Sequence, residues 1–159
     1  MTESARLADA SDIDSMQRIS VSTTTTLGEA RGGSLLLARE SVDEAEQILD
    51  AVRQGRAIVG TYDDTVLGYG WFSVESLPGG VLLGRIHTLV VEPEARGVGI
   101  GAAMMDLLLE VLGARGCSSV DSLALPGDRE TKNFFESYGL KARLLIVNRS
   151  LVDPPPGPD

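Results

Sequence analysis

Between Ile100 and Leu112 the apolar residues Ile100, Ala103, Met104, Leu107, Leu108, Val111 and Leu112 recur at steps of three and four. That is one stripe of an amphipathic helix, with Asp106 and Glu110 off the stripe and Gly113 and Gly116 as stop signals. Ahead of it, Ile86, Leu89, Val90 and Val91 read as the end of a buried strand. Pro93 cannot donate to a ladder, so that strand stops near Val91. Upstream, the pattern predicts a short strand over 5–10, then a helix capped by Ser11 or Asp12 and carrying Ile13, Met16 and Ile19. A loop holding Thr23, Thr24, Thr25 and Thr26 follows, and residues 34–40 read equally as a strand or a helical turn. Ser41 and Glu44 form a capping box for a helix with Val42, Ala45, Ile48, Leu49 and Val52 inward, ended by Gly55.

Strands are predicted over 56–61, 66–75 and 81–91, the first two joined by a turn at Asp63 and Asp64. After the stripe helix come a strand over 119–125, ended by Pro126 and Gly127, and a short helix capped by Asp128. Phe134, Phe135 and Tyr138 anchor that helix and Gly139 closes it. A last strand over 140–151 carries Leu144, Leu145, Ile146 and Val147, and a Pro-rich disordered tail occupies 153–159.

The chain has 159 residues, 43% hydrophobic and 23% charged, which fits one domain over 1–152 with a real core. A net charge of −9 argues against nucleic acid or an anionic membrane as the main partner and mildly favours a cationic substrate. The single cysteine, Cys117, excludes an internal disulfide and reads as a small, partly buried residue rather than a nucleophile. Residues 1–12 hold no apolar run and nothing approaches a membrane span of about 20 residues, so a cytoplasmic protein is expected. No metal site is expected.

Arg96, Gly97, Gly99 and Gly101 stand where the strand turns into the stripe helix. Glycines expose the free N–H groups of a helix N-terminus, and Arg96 adds a cationic fork, so a phosphate-bearing ligand is expected at 96–101. The run from Gly97 to Ala102 also fits the dinucleotide fingerprint, with Asp121 about 20 residues on. Against that reading, Glu92 to Arg96 separate the strand from the glycines, and too little chain remains for a doubly wound sheet.

Val91, Pro93, Arg96, Gly97, Gly99 and Gly101, at these offsets, resemble the acetyl-CoA signature of the GNAT superfamily of N-acetyltransferases. The order of elements is similar to the GNAT order from about residue 5 to residue 151. The resemblance implies an α/β (α+β) fold: a mixed, mostly antiparallel central sheet flanked by helices and splayed near the acetyl-CoA site. It implies that the CoA pyrophosphate meets Arg96, Gly97, Val98, Gly99, Ile100 and Gly101, that the pantetheine arm runs along Leu89, Val90 and Val91, and that the backbone N–H near Val91 serves the oxyanion. It also implies that the region between the first strand and the second helix shapes the acceptor pocket, which makes Thr23 to Thr26 lining candidates.

For the base, His87 lies four residues before Val91, so strict alternation puts it on the face of Leu89 and Val91. Its ordinary pKa near 6.5 suits proton abstraction from an ammonium. The stretch Arg85-Ile86-His87-Thr88-Leu89 resembles that of the arylalkylamine branch, with Arg85 in place of a first histidine. The competing reading is a histidine hydrogen-bonded in the sheet. Glu75 is the second candidate base. For the thiolate acid the chain departs from the family: Phe135 stands four residues before Gly139, where a cofactor-contacting tyrosine is usual, and Asp128 stands where asparagine is common. Tyr138 substitutes, or water protonates the thiolate, or the protein transfers poorly.

The resemblance thus points to an acetyl-CoA-dependent N-acetyltransferase for a primary amine, small-molecule or protein. The alternative is a catalytically weakened CoA-binding relative with a sensing or assembly role. The family usually ends in a two-strand hairpin, whereas one strand's length remains after Gly139, which suggests pairing with another subunit in a homodimer.

Overall fold

A computed structural model describes residues 2–29, 44–124 and 128–152. Five strands form one sheet in the order β1-β2-β3-β4-β5: β1 Glu3–Leu7, β2 Ala57–Tyr62, β3 Thr65–Ser76, β4 Leu82–Val91 and β5 Ser119–Ser122. The first four are antiparallel neighbours, and β5 alone is parallel, to β4. This mixed sheet with helices on both faces is the fold class expected above, and it is not a doubly wound parallel sheet.

Alternation along the strands separates two cores. Ala57 and Val59 of β2, with Val66, Tyr69 and Trp71 of β3, meet α1 (Ile13–Glu29) and α2 (Glu44–Arg53) through Met16, Ile19, Ile48 and Ala51. Ile58, Phe72 and Ile86 point the other way. They meet Ile100, Met104, Met105, Leu108 and Leu112 of α3 (Ile100–Ala114) and Phe135 of α4 (Arg129–Ser137). The helix α3 sits unusually close to the sheet at Gly60, where a Cβ would lie 2.5 Å from Ile100 Cγ2.

Three expectations are corrected. The threonine run is not a loop, because α1 continues to Glu29. Thr23 Oγ1 donates back to the carbonyls of Ile19 and Ser20, which satisfies the hydroxyl inside the helix. The cap lies earlier than Ser11 or Asp12: Asp9 caps the 3-10 turn Ala10–Asp12 that leads into α1 and accepts from Ser11 N, while Asp12 completes the box by accepting from Asp9 N. Residues 140–152 carry no strand; β5 is four residues long and no ladder extends beyond it among the described residues. The expectations for 34–40, Ser41, Val42, Pro126, Gly127 and the tail at 153–159 fall outside the described residues. Among the described residues no helix is long and apolar enough to cross a membrane, and no cluster of His, Cys, Asp or Glu could hold a metal ion.

Candidate active site

The strands β4 and β5 begin together and then part. Their register runs from Leu83 opposite Ser119 to Ile86 opposite Ser122, and β4 continues alone for five more residues. On its other edge β4 stays paired with β3 to the end, Val91 opposite Gly68. Glu92 N donates to Leu67 O at 2.8 Å, and the carbonyls of Thr88 and Val90 crowd Gly70 and Gly68. Those backbone groups therefore face β3. Alternation turns the N–H groups of Leu89 and Val91 the opposite way, to the side that β5 has left. Residues 87–91 are half-buried where the rest of the strand interior is buried, so a wedge opens along this edge.

The wedge leads into the glycine loop. A short 3-10 turn, Pro93–Ala95, carries the chain to Arg96, and Gly99 caps α3. Gly99 has φ +91°, in the left-handed region that favours glycine, and offers no side-chain acceptor to the first-turn N–H groups. Those donors and the positive end of α3 face outward beside exposed Gly97, Val98 and Gly99. The Arg96 guanidinium is engaged only by exposed Glu130 among the described residues, at 3.7 Å, a contact weak enough to yield to a phosphate. The side chain of Glu3 lies against Gly99, an acid beside the N-terminus of α3.

On α4 the two phenylalanines divide. Phe135 is buried in the core under α3, whereas the Phe134 ring stands 3.5 Å from the Cβ position of Gly101 and shares that space with Val91. Tyr138 stacks at a tilt on Phe134 and its hydroxyl donates to Ala102 O at 3.3 Å. Burial, and the Asp106 charge after it, raise the Tyr138 pKa and keep the phenol protonated at neutral pH.

His87 is placed differently from the expectation. The β3–β4 register slips between Trp71 and Phe72: Trp71 faces Thr88 while Phe72 faces Ile86, which leaves His87 as the extra residue of a bulge. The bulge breaks the alternation. Leu89 and Val91 pack toward α3, but the imidazole lies on Trp71, whose indole belongs to the α1/α2 core. His87 Nε2 is 2.7 Å from Ser73 Oγ. The Trp71 Nε1 donor is buried with no partner among the described residues. Glu75, further along β3, is exposed.

Sequence reading missed a second polar group on the same face. Glu44, in the first turn of α2, accepts from Tyr69 Oη at 2.7 Å, Ser20 Oγ at 2.8 Å and Thr88 Oγ1 at 3.4 Å. Four elements thus converge on one carboxylate next to the wedge. Burial and the Glu44 charge push the Tyr69 phenol far up, so it stays a donor. The local pattern hid this: Glu44 reads as a capping-box glutamate, and Tyr69 as one more apolar strand residue between two glycines.

The comparisons with known proteins show the family and the fold. The model of the Acetyltransferase (GNAT) family matches residues 29–140, and the chain belongs to that family. A glucosamine 6-phosphate N-acetyltransferase from Trypanosoma brucei brucei is 34% identical over 64 residues, 40% of this chain and 42% of that protein, so the match spans less than half of the relative. Among solved structures, a tetramutant of the BH1408 protein from Bacillus halodurans superposes with a TM-score of 0.75 at 17% identity, covering 92% of this chain and 99% of the other. A ribosomal-protein-alanine N-acetyltransferase from Brucella melitensis biovar Abortus 2308 gives 0.70 at 18% identity, over 93% and 99%. Likenesses at this identity establish the fold.

Proposed function

We propose that this protein is an acetyl-CoA-dependent N-acetyltransferase acting on a primary amine, with residues 1–152 as one catalytic domain. The observation that carries the reading is the junction at Val91. There a strand edge with outward N–H groups leads, through one 3-10 turn, into a glycine loop and a helix N-terminus with no side-chain cap. A long ligand with a polar amide arm at one end and a pyrophosphate at the other matches both halves. Arg96, Gly97, Val98, Gly99, Ile100 and Gly101 would hold the pyrophosphate, and Leu89, Val90 and Val91 the arm, with Phe134 beside Gly101 and Phe135 supporting from the core.

When bound, acetyl-CoA supplies an activated thioester. The amine nitrogen forms a bond to the acyl carbon as the C–S bond breaks. Val91 N–H donates to the carbonyl oxygen as negative charge develops there. His87 takes the ammonium proton, and Ser73 orients its ring through Nε2. Glu75 is the second candidate for that proton. Tyr138, held protonated, or a water returns a proton to the thiolate. The Glu44 carboxylate, facing the wedge from the α1/α2 side, supports a cationic acceptor.

A second reading, CoA binding without efficient transfer, rests on Phe135, which has no proton to give and stands where the resemblance implies a tyrosine. One experiment serves both. Thermal unfolding is followed with acetyl-CoA, CoA and NADH, and acetylation is then assayed on an amine panel that includes glucosamine 6-phosphate. A ligand at 100 times its Kd stabilises by about 2.7 kcal/mol, several degrees in Tm. A shift with acetyl-CoA and turnover of an amine supports the transferase. A shift without turnover of any amine leaves the binding reading. The absence of any shift with acetyl-CoA or CoA overturns both.

A further inference from the structure

The sheet turns one charged row away from α3. Phe72 and Ile86, in the row with Ser122, pack on the α3 side, and so do Val74 and Val120, in the row with Gly84. The row between them, Ser73, Arg85 and Asp121, therefore points to the opposite face, where Ser73 Oγ meets His87 Nε2. All three residues are half-buried, and Trp71 is the last β3 residue in the α1/α2 core. Only one further row, Ile86 opposite Ser122, joins β4 to β5, so the charged row forms the foot of the wedge.

The charges of this row are not all paired. Arg143 bonds both carboxylate oxygens of Asp121, with Nε at 2.8 Å and with Nη2. Arg85 acts on Asp121 only through space, and its guanidinium makes no hydrogen bond or ion pair with any described residue. It keeps its charge and its fork of N–H donors. Glu75, the other acid that alternation puts on this face, is exposed and one row further from His87. Two arginines around Asp121 leave a local charge of +1 in a chain that carries −9. Beyond His87 the sign reverses. Thr88, opposite Trp71, donates to the Glu44 carboxylate at 3.4 Å. Along β4 the order on this face is thus cation, imidazole, carboxylate.

We propose that Arg85 receives a carboxylate or phosphate of the acceptor, so that the substrate is an amine that also bears an anionic group. The proposal rests on the acceptor amine lying at His87, as in the function above. With its anion on Arg85 and its ammonium toward Glu44, the molecule lies along β4 in one orientation and presents nitrogen beside the imidazole. The guanidinium fork fits two oxygens of either anion. A neutral counterpart leaves the fork unpaired and loses that orientation. Arg85 occupies the place of a histidine in the similar stretch of the arylalkylamine branch, and a fixed cation there selects a different class of acceptor.

Matched pairs of amines test this on the full-length protein: β-alanine with β-alaninamide, phosphoethanolamine with ethanolamine, and glucosamine 6-phosphate with glucosamine. The expected result is a kcat/KM higher for the anionic member of at least one pair by about tenfold or more, the scale of one charge-assisted contact. Which pair responds names the anion. Arg85→Gln should bring that ratio close to one, chiefly through the KM of the anionic member. Arg85→Lys should restore part of it, and both variants should keep the Tm shift with acetyl-CoA. Thermal unfolding with CoA plus each amine reads acceptor binding without turnover. An anionic amine that adds a shift to wild type but not to Arg85→Gln supports the site even where no amine is acetylated, and then it is the transferase reading that fails. Acetylation with no preference within any pair overturns the Arg85 assignment and leaves the transferase standing. A preference that survives Arg85→Gln, or the absence of both turnover and a further shift with every anionic amine, also overturns it.

Discussion

The imidazole of His87 lies flat on the indole of Trp71, ring centroids 4.1 Å apart and planes 8° from parallel, with Nε2 held by Ser73. A one-residue bulge puts it there. The bulge transfers His87 from the α3 face to the face that carries Glu44 and Tyr69. His87→Ala should lower turnover about 100-fold or more at neutral pH, the usual contribution of a positioned base. The Tm shift with acetyl-CoA should persist. Ser73→Ala should move the pH profile of kcat without abolishing it. Rates measured across pH, beside ligand-induced Tm shifts, check both; a wild-type profile for His87→Ala removes the base assignment.

Glu44 gathers three hydroxyl donors and has no ion-pair partner among the described residues. If its charge receives the acceptor ammonium, Glu44→Gln keeps the shape and loses the attraction. The expected outcome is a raised KM for the amine, by about tenfold for about 1.4 kcal/mol of lost interaction, with the KM for acetyl-CoA unchanged. A Glu44→Gln enzyme with both KM values unaltered shows the carboxylate to be structural.

At the loop, Arg96→Glu places an acid where we propose that the pyrophosphate docks and should eliminate the acetyl-CoA shift while leaving the Tm of the free protein within about a degree, since the Arg96–Glu130 contact is exposed. Glu3→Gln is the converse change, removing a negative side chain that lies against Gly99, and should tighten binding. Calorimetric titration with CoA reads both directions. Equal affinities in the three proteins would mean that the pyrophosphate lies elsewhere.

Local pattern made the central half of the molecule legible. The stripe from Ile100 to Leu112 and the stops at Pro93, Asp63 and Gly139 are decided by neighbours in sequence, and each corresponds to an observed boundary. What escaped is decided by neighbours in space. His87 changes face because β3 and β4 slip by one residue, which no feature of Arg85 to Leu89 announces. Thr23 stays helical because its hydroxyl finds carbonyls one turn back. Residues 140–151 have strand composition, but a strand exists only with a partner edge.

Asp12 anchors the start of the fold. Its buried carboxylate accepts from Arg6 Nη1 at 2.7 Å, Arg6 Nη2 at 2.9 Å and Asp9 N at 2.8 Å. The Arg6 hydrogen bonds, before all else, hold its pKa below the ordinary carboxylate value. A carboxyl depressed in the folded state stabilises fully above its unfolded pKa of about 3.9 and loses that contribution as pH falls through the lower folded value. Asp12→Asn should therefore cost about 1–3 kcal/mol at pH 7. The difference from wild type should shrink below pH 4. Urea unfolding at several pH values measures it; a pH-independent difference would place the cost in packing rather than charge.

Gly68 ties the fold to the site. It faces Val91 across the β3–β4 ladder, and a Cβ there would sit 2.8 Å from Val90 O and 2.9 Å from the Met104 methyl carbon. The methionine end can swing away, but the carbonyl belongs to the strand that lines the wedge. Gly68→Ala must therefore displace β4 at Val90 and Val91, at a cost of about 1–3 kcal/mol, the usual range for overpacking. The displacement moves the Val91 N–H that the acyl oxygen would use. The substitution should lower Tm and also lower kcat more than a stability loss explains, measured well below the unfolding transition. Gly60→Ala is the control. Its Cβ meets the side chains of Ile100 and Met104, not the backbone of β4, so it should lose stability while keeping kcat at the same temperature. If the two variants lose stability and activity in the same proportion, the alignment of Val91 is not what sets the rate.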